Sequence, residues 1–317
     1  MRTSIENSLK YPDELDLALI REMEQDARIS YQALASKVGT SPQTAGRRVS
    51  RLIDKGIVRI AAVPDYTVLG YNTILILAIN TPPGTVDTSV RQLISINSIK
   101  YLYVTAGRYD ILAVALYRSL EEYMSSLQEE IGGIVDNVRI ETMLSAKVIK
   151  IGWSHLSNSG TIATHADFIP TDLELSVMRE LGKSPRVPVN ELAHNIGASL
   201  PSVRSSLRKL ISQGIIRIVS VTDPAAFGYT VMGVTLIQVH PSKLEALTNQ
   251  LKANPSVKQI VLIVGAFNCM IWTSFQNSDQ MHHFLVQDLG NMPGVVHYES
   301  LIILRTQKAS FDLLNEN

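Results

Sequence analysis

The chain has 317 residues, 45% of them hydrophobic and 18% charged, with 29 Lys+Arg against 29 Asp+Glu. That composition excludes intrinsic disorder and leaves room for two to four domains, while the neutral balance argues neither for nor against a nucleic-acid partner. No apolar run approaches the ~20 residues that cross a bilayer. No membrane partner is therefore expected. The single cysteine, Cys269, cannot form an internal disulfide, and Met1–Lys10 lacks a basic segment followed by an apolar core, so a reducing cytoplasm is the expected location.

Apolar residues Leu15, Leu19, Ile20 and Met23 share one helical face, so the pattern predicts a helix over Asp13–Glu24 with Asp13 able to cap it. Ser30 is placed to cap a second helix, Tyr31–Val38, and Gly39 supplies a tight turn. Ser41 is the next N-cap. Pro42 occupies the first helical position, where its missing N–H costs nothing. The third helix runs to about Lys55 and stops at Gly56, with Ala45, Val49, Leu52 and Ile53 as its buried stripe. Helix, helix, glycine turn, helix is a helix-turn-helix pattern, and the strand Ile57–Val63 that follows reads as a wing or hinge.

The period then changes. Strand Thr73–Asn80, helix Asp87–Ile96, strands Ile99–Thr105 and Ile111–Leu116, helix Ser119–Glu130 with a Ser119/Glu122 capping box, and strand Val138–Ile149 give the order βαββαβ, a ferredoxin-like module.

The remainder repeats the plan. A shift of 158 positions carries Gly56-Ile57-Val58-Arg59-Ile60 onto Gly214-Ile215-Ile216-Arg217-Ile218, Gly70-Tyr71 onto Gly228-Tyr229 and Gly107 onto Gly265 without a gap. The repeating unit is therefore a whole folding module, far longer than a solenoid layer. Leu173, Val177, Met178 and Leu181 mark the first helix of the second copy. Asn190 is the expected cap of the next, and Ser199 caps a third that ends at Gly214. Strand Val231–Val239, a helix from Ser242 with a Ser242/Glu245 capping box, strands Val257–Val264 and Asn268–Ser274, helix Asp279–Leu289 and strand Val295–Leu304 complete it. The expected fold is thus α+β: two copies of a (winged) helix-turn-helix plus a ferredoxin-like βαββαβ module. The boundaries are 11–62 and 70–153 for the first copy, a polar linker over 154–167, then 168–220 and 228–306 for the second.

Charge is concentrated at the same place in both copies. Lys37–Arg59 holds six cations against one acid, Asp54, and Asn195–Arg217 holds four cations and no acid. A helix read into a major groove must offer donors to base edges and cations to phosphates. Gln43, Thr44 and Arg47 are the candidates for base edges, and Arg48, Arg51 and Lys55 for phosphates. In the second copy the exposed set is Ser202, Arg204, Ser205, Arg208 and Lys209, poorer in guanidinium groups.

The order and spacing of Leu15-Asp16, Ala33-Leu34-Ala35, Ser41-Pro42-x-Thr44-x-x-Arg47-Arg48, Leu52-x-x-x-Gly56-Ile57-Val58, Leu69-Gly70-Tyr71, Gly107-Arg108-Tyr109-Asp110 and Val138-Arg139-x-Glu141-Thr142 resemble the Lrp/AsnC family of transcription regulators. The duplication departs from the family's usual single copy. The resemblance implies double-stranded DNA as partner and a small-molecule effector, often an amino acid, held near the glycine turn of the second module at an interface. It would place Gly107, Tyr109, Asp110 and Thr142 in the first effector site, with Asp110 facing an ammonium group. The second site would have Gly265, Asn268 and Ser300, without that carboxylate and with bulky Phe267 beside the glycine. A linker of about fourteen residues spans roughly 20 Å, enough for the two copies to pair as an internal pseudo-dimer, with further homo-oligomerisation expected. Two other readings stay open. Tetrapyrrole (siroheme) decarboxylases resemble the same architecture and would need His and Arg gathered in the second module, for which Arg108 and Arg139 are the candidates. An adaptor that senses ligand without binding DNA is the other. No catalytic residue, cofactor or metal is expected: adjacent His282 and His283 point ~100° apart on a helix, and no phosphate loop, dinucleotide fingerprint or nucleophile elbow is present.

Overall fold

Reciprocal capping starts the first helical head. In the computed structural model, which describes residues 12–132, 138–152 and 167–310, Asp13 and Asp16 form a capping box at the start of α1 (Glu14–Gln25). Ser30 caps α2 (Tyr31–Val38) and Ser41 caps α3 (Pro42–Asp54). Gly39 takes φ 72° between α2 and α3, a conformation that suits glycine. Leu19, Ile20, Met23, Leu34, Ala45, Val49 and Leu52 close the core of this head. Ile53, expected in that stripe, is 38% exposed. The spacing Ala45, Val49, Leu52 already fills the inward face, and the next position rotates ~100° toward solvent.

The second head is built from α6 (Asp172–Lys183), α7 (Val189–Ile196) and α8 (Leu200–Ser212), numbered after the two module helices α4 (Val86–Leu93) and α5 (Leu120–Ser126). Asn190 does not cap α7. The helix starts two residues earlier than such a cap implies, directly after Pro188, with no side-chain cap, since the fixed φ of proline already sets the entry. Of the expected linker Ser154–Asp167, all but Asp167 lies outside the described residues, as does the expected first boundary at Tyr11.

The strand after each head pairs with its counterpart. β1 (Val58–Pro64) runs antiparallel to β6 (Ile216–Thr222), with Ala61 opposite Val219 near the centre. Beyond this ribbon the chain crosses over. Ala226 and Phe227 of the second copy pack into the first head, and Val68 and Leu69 of the first copy pack into the second. The hydrogen bonds repeat the exchange: Asp65 N donates to Ile215 O at 2.8 Å and Asp223 N to Ile57 O at 3.0 Å. Arg28 donates to the carbonyls of Pro185 and Val187 at 2.6 and 2.7 Å, and Arg186 to that of Ile29 at 2.8 Å.

The two ferredoxin-like modules form one closed barrel. The first supplies β2 (Thr73–Asn80), β3 (Ile99–Ala106), β4 (Ile111–Tyr117) and β5 (Arg139–Lys150); the second supplies β7 (Val231–Val239), β8 (Val257–Val264), β9 (Cys269–Phe275) and β10 (Val295–Ala309). The strand order is β10-β3-β4-β2-β5-β8-β9-β7. The copies meet at two seams on opposite sides of the ring, β5–β8 and β10–β3. β10 extends past its expected end at Leu304 to Ala309, because β3 continues to pair with it as far as Ala309 opposite Tyr101. Closure removes every exposed sheet edge from the barrel. The barrel interior is filled by Ile76, Leu112, Met143, Val234, Val261, Met270 and Leu301, while α4 and α5 cover the first sheet outside and α9 (Leu244–Ala253) and α10 (Ser278–His283) the second.

Two local expectations differ. The Ser242/Glu245 capping box does not form: Pro241 starts a 3-10 turn, α9 begins only at Leu244, and Ser242 Oγ sits 2.9 Å from His240 Nδ1. At α5, Ser119 accepts from Glu122 N, but the Glu122 carboxylate reaches one residue further back to Arg118 N.

Gly107 lies in the β3–β4 turn with φ 138°, and a Cβ there would meet Leu301 Cδ2 of the other copy at 2.8 Å. Gly265, its counterpart, has φ 154° but its nearest neighbour would be Met143 Cγ at 3.9 Å. Gly107→Ala is therefore expected to lower stability by about 1–3 kcal/mol, and Gly265→Ala by less, measured by urea denaturation.

Candidate nucleic-acid interface and effector site

The exposed faces of α3 and α8 are set by their caps and buried stripes. Gln43, Arg47 and Lys55 are exposed on the first; Ser202, Arg204, Ser205, Arg208 and Lys209 on the second. Among the described residues, Arg47, Arg204 and Arg208 have no ionic partner. Thr44, half-buried, lies 2.9 Å through Oγ1 from the capping Ser41 Oγ, and Ser202 stands in the same relation to Ser199 at 2.8 Å.

Arg48 and Arg51, expected at phosphates, are paired within the head. Asp16, 1% exposed, projects from α1 against α3. Its Oδ1 accepts from Arg48 Nη1 at 3.0 Å and its Oδ2 from Arg51 Nη2, while Arg48 also reaches Asp13 Oδ2 at 2.5 Å. A buried carboxylate must be paired, and two guanidinium groups one turn apart on α3 supply the pair. In the second head Glu174, 3% exposed, takes the place of Asp16 and binds Lys209 at 2.8 Å; Lys209 also lies 4.9 Å from the Phe168 ring. These three cations lock their reading helices to the first helix of their own heads. The clue in the sequence is an acid in the first turn of each head, at Asp16 and at Glu174, 158 positions on. The faces left open to a ligand carry Gln43 and Arg47 on α3, and Arg204, Ser205 and Arg208 on α8.

The seven expected effector residues do not share one pocket. Along β5, Met143 faces the barrel interior, so Thr142 faces the other way, where its Oγ1 lies 2.5 Å from Tyr123 OH. Ser300, beside inward-facing Leu301, likewise turns out to Thr235 Oγ1 at 2.9 Å. Asp110 accepts from Thr81 N at 2.8 Å, and Asn268 both accepts from Val239 N and donates to Val239 O, at 2.9 and 2.8 Å. Both side chains staple a hairpin to the neighbouring strand. Gly107, Tyr109 and Gly265 lie at the floor of the barrel. There Tyr109 OH donates to Glu141 at 2.7 Å and Arg108 bridges Glu299 at 2.8 Å and Glu141 at 3.4 Å, with Phe267 stacked on His297 at 6.0 Å. Burial, reinforced by Glu141, pushes the Tyr109 hydroxyl well above its ordinary pKa, so it stays a donor.

Above the floor, sequence reasoning missed a cavity of about 650 Å³ between the barrel and the β1–β6 ribbon. Its walls carry Tyr66, Tyr101, Tyr103 and Trp272, and its cations are Arg59, Lys147 and Lys258. Among the described residues that line it there is no histidine, and Arg108 and Arg139 are not among them. The cavity is made by residues from all ten strands of both copies, so no local sequence signal marks it. No group of three or more His, Cys, Asp or Glu able to hold a metal occurs among the described residues, and no described helix is long and apolar enough to cross a membrane.

Two heads of helix-turn-helix type stand on one barrel of paired ferredoxin-like modules. The sequence matches an AsnC-type helix-turn-helix domain over residues 13–53, a winged helix-turn-helix DNA-binding domain over 171–217, and the Lrp/AsnC ligand binding domain over 74–152 and again over 230–313. The two ligand-binding segments alone make up just over half of the chain. It is 30% identical over 146 residues to an uncharacterized HTH-type transcriptional regulator of Pyrococcus abyssi, covering 45% of this chain and 92% of that protein. It is 29% identical over 141 residues to the HTH-type transcriptional regulator Ptr1 of Methanocaldococcus jannaschii, covering 44% and 95%. The chain belongs to the Lrp/AsnC family and is a transcription regulator of that type, with the family's two domains present twice. Among solved structures, the siroheme decarboxylase NirDL matches 93% of this chain and 92% of its own at a TM-score of 0.66. NirDL in co-complex with an iron-uroporphyrin III analogue matches 95% and 96% at 0.68, both at 16% identity. That likeness is one of fold, and it extends to the fused arrangement.

Asp16→Ala is expected to cost about 1–3 kcal/mol, because the arginines it releases are partly exposed and rehydrate, with a lower thermal midpoint. The hydrogen bond from Arg48 holds the Asp13 carboxyl below its usual 3.8. This contribution is complete above that value and is lost as pH falls through the folded-state value. Acid titration followed by circular dichroism should show the wild type losing more stability below about pH 4 than Asp13→Asn does.

Proposed function

We propose that a single chain of this regulator binds double-stranded DNA with two unlike reading helices, α3 and α8, as an internal pseudo-dimer. The observation that carries the reading is the pair of capped helices that leave Arg47 on one, and Arg204 and Arg208 on the other, exposed and free of ionic partners among the described residues. Arg47 lies one turn from Thr44 on the outer face of α3, the position from which a guanidinium reaches a base edge. Lys55 contributes to phosphate contact. On α8 two arginines and Ser205 take the same place, so the two half-sites differ. A small-molecule effector modulates binding, the protein works in the cytoplasm without catalytic activity, and pseudo-dimers associate further into homo-oligomers.

A tetrapyrrole decarboxylase is the second reading, because the fold likeness to NirDL covers both copies. The cavity chemistry supports it less: its described lining offers three cations and no histidine. A new visible absorption band on adding siroheme, followed by release of carbon dioxide, would favour the enzyme.

A gel shift on the DNA upstream of its own gene is expected to give a complex that weakens steeply with salt, since phosphate contacts release counterions. Arg47→Ala should weaken specific binding by about 1–3 kcal/mol, whereas Arg48→Ala should act mainly through stability. Unchanged binding by Arg47→Ala would remove that side chain from the interface.

A further inference from the structure

The cavity between ribbon and barrel has the construction of a ligand site. Met270, Trp272 and Ser274 alternate on the inner face of β9, since Met270 and Trp272 belong to the barrel interior and Ser274 follows two residues later. Trp272 is 9% exposed and Ser274 1%, yet Trp272 Nε1 and Ser274 Oγ are buried without a hydrogen-bond partner. Buried donors are normally satisfied, and an unsatisfied one costs about 1–3 kcal/mol. Both residues line this one cavity, so its wall carries two donors that the fold itself does not satisfy.

The cations are distributed to match. Lys147 on β5 and Lys258 on β8 stand at one seam between the copies. Arg59 stands at the opposite seam, held by the carbonyl of Ala309 at the end of β10 at 3.2 Å. Lys147 has no ion pair among the described residues, and Lys258 lies 5.2 Å from the Tyr229 ring. Between the two seams the walls are apolar and aromatic: Ile74, Ile76, Val114, Tyr103, Trp272 and Ile303. Burial lowers the Lys258 pKa to about 8, with Lys150 pushing the same way and Glu24 of α1 opposing. The Tyr66 hydroxyl is raised to about 12 by burial and remains a donor at neutral pH.

We infer that this cavity is the effector site of the regulator and that it takes a flat, apolar-bodied molecule carrying carboxylates at both ends, one between Lys147 and Lys258 and the other near Arg59. A free amino acid would fill only part of about 650 Å³, a size that suits drug-sized ligands. The roof of the cavity includes Val63, Pro64, Asp65, Val221 and Thr222 of the ribbon and its exits. A ligand there touches the element that joins the two heads, so binding and DNA reading are coupled. The inference of an effector role rests on the regulator reading; the binding site itself does not.

The test uses the full chain with Trp153→Phe, which leaves Trp272 as the only tryptophan. Pamoate and stilbene-4,4′-dicarboxylate serve as probes, with the dimethyl ester of each, laurate and leucine for comparison. At least one dicarboxylate should quench Trp272 at one molecule per chain. Its dimethyl ester should bind at least tenfold more weakly, and so should the dicarboxylate to Lys147→Gln/Lys258→Gln. Arg305→Gln, on the outer face of β10, should bind the dicarboxylate as the parent does. Quenching by neither dicarboxylate, ester binding equal to that of the acid, or undiminished binding by the double variant would overturn the site. In gel shifts the dicarboxylate should change DNA affinity severalfold in the parent and not in the double variant. DNA binding that the dicarboxylate leaves unchanged would overturn the effector role alone, and DNA binding absent in every protein would overturn the regulator reading while leaving the quenching result to stand.

Discussion

Everything in this molecule depends on each copy supplying the sheet edges the other lacks. A four-stranded ferredoxin-like sheet has two open edges, and here β5 meets β8 and β3 meets β10 so that neither module has a free one. The same exchange recurs above the barrel, where β1 pairs with β6 and each head takes apolar residues of the other copy into its core. Backbone pairing of this kind fixes orientation as well as distance. The cavity, its roof and the placement of the two reading helices are consequences of it.

The copies are alike in frame and unlike in chemistry. The cap, turn and glycine-stop positions correspond, yet the buried acid that anchors the reading helix is Asp16 with two arginines in one head and Glu174 with a single lysine in the other. At the barrel floor the first copy brings Arg108 and Tyr109, and the second brings Phe267 and His297 into a ring contact. A homodimer could not hold such differences, because symmetry would impose each change on both sides. Fusion permits one half to keep strong cationic contacts while the other diverges.

Local structure was legible in the sequence wherever one residue decides it. Ser30, Ser41 and Ser199 cap as their spacing suggests, and the change from helical to alternating apolar period located the barrel strands. Where two local signals competed, the proline prevailed: Pro188 started α7 ahead of Asn190, and Pro241 displaced the capping box at Ser242. The reading face was legible only in part. Amphipathicity shows that Arg48 and Arg51 lie off the buried stripe, but not that Asp16 lies opposite them, since that contact joins residues 32 and 35 positions apart. The side-chain directions of the expected effector residues were illegible for a related reason. Strand alternation puts the Thr142 side chain on the face away from Tyr109. The cavity was invisible to sequence, because ten strands converge on it from both halves.

The crossing of Phe227 and Leu69 into opposite heads has a consequence for concentration. When two separate subunits pair, the fraction paired falls on dilution, and the cell must hold enough of both to keep the site filled. Here the partner is always present at the high effective concentration set by a short tether. A handful of molecules per cell would still hold both heads in register, because this pairing does not depend on how many copies are present.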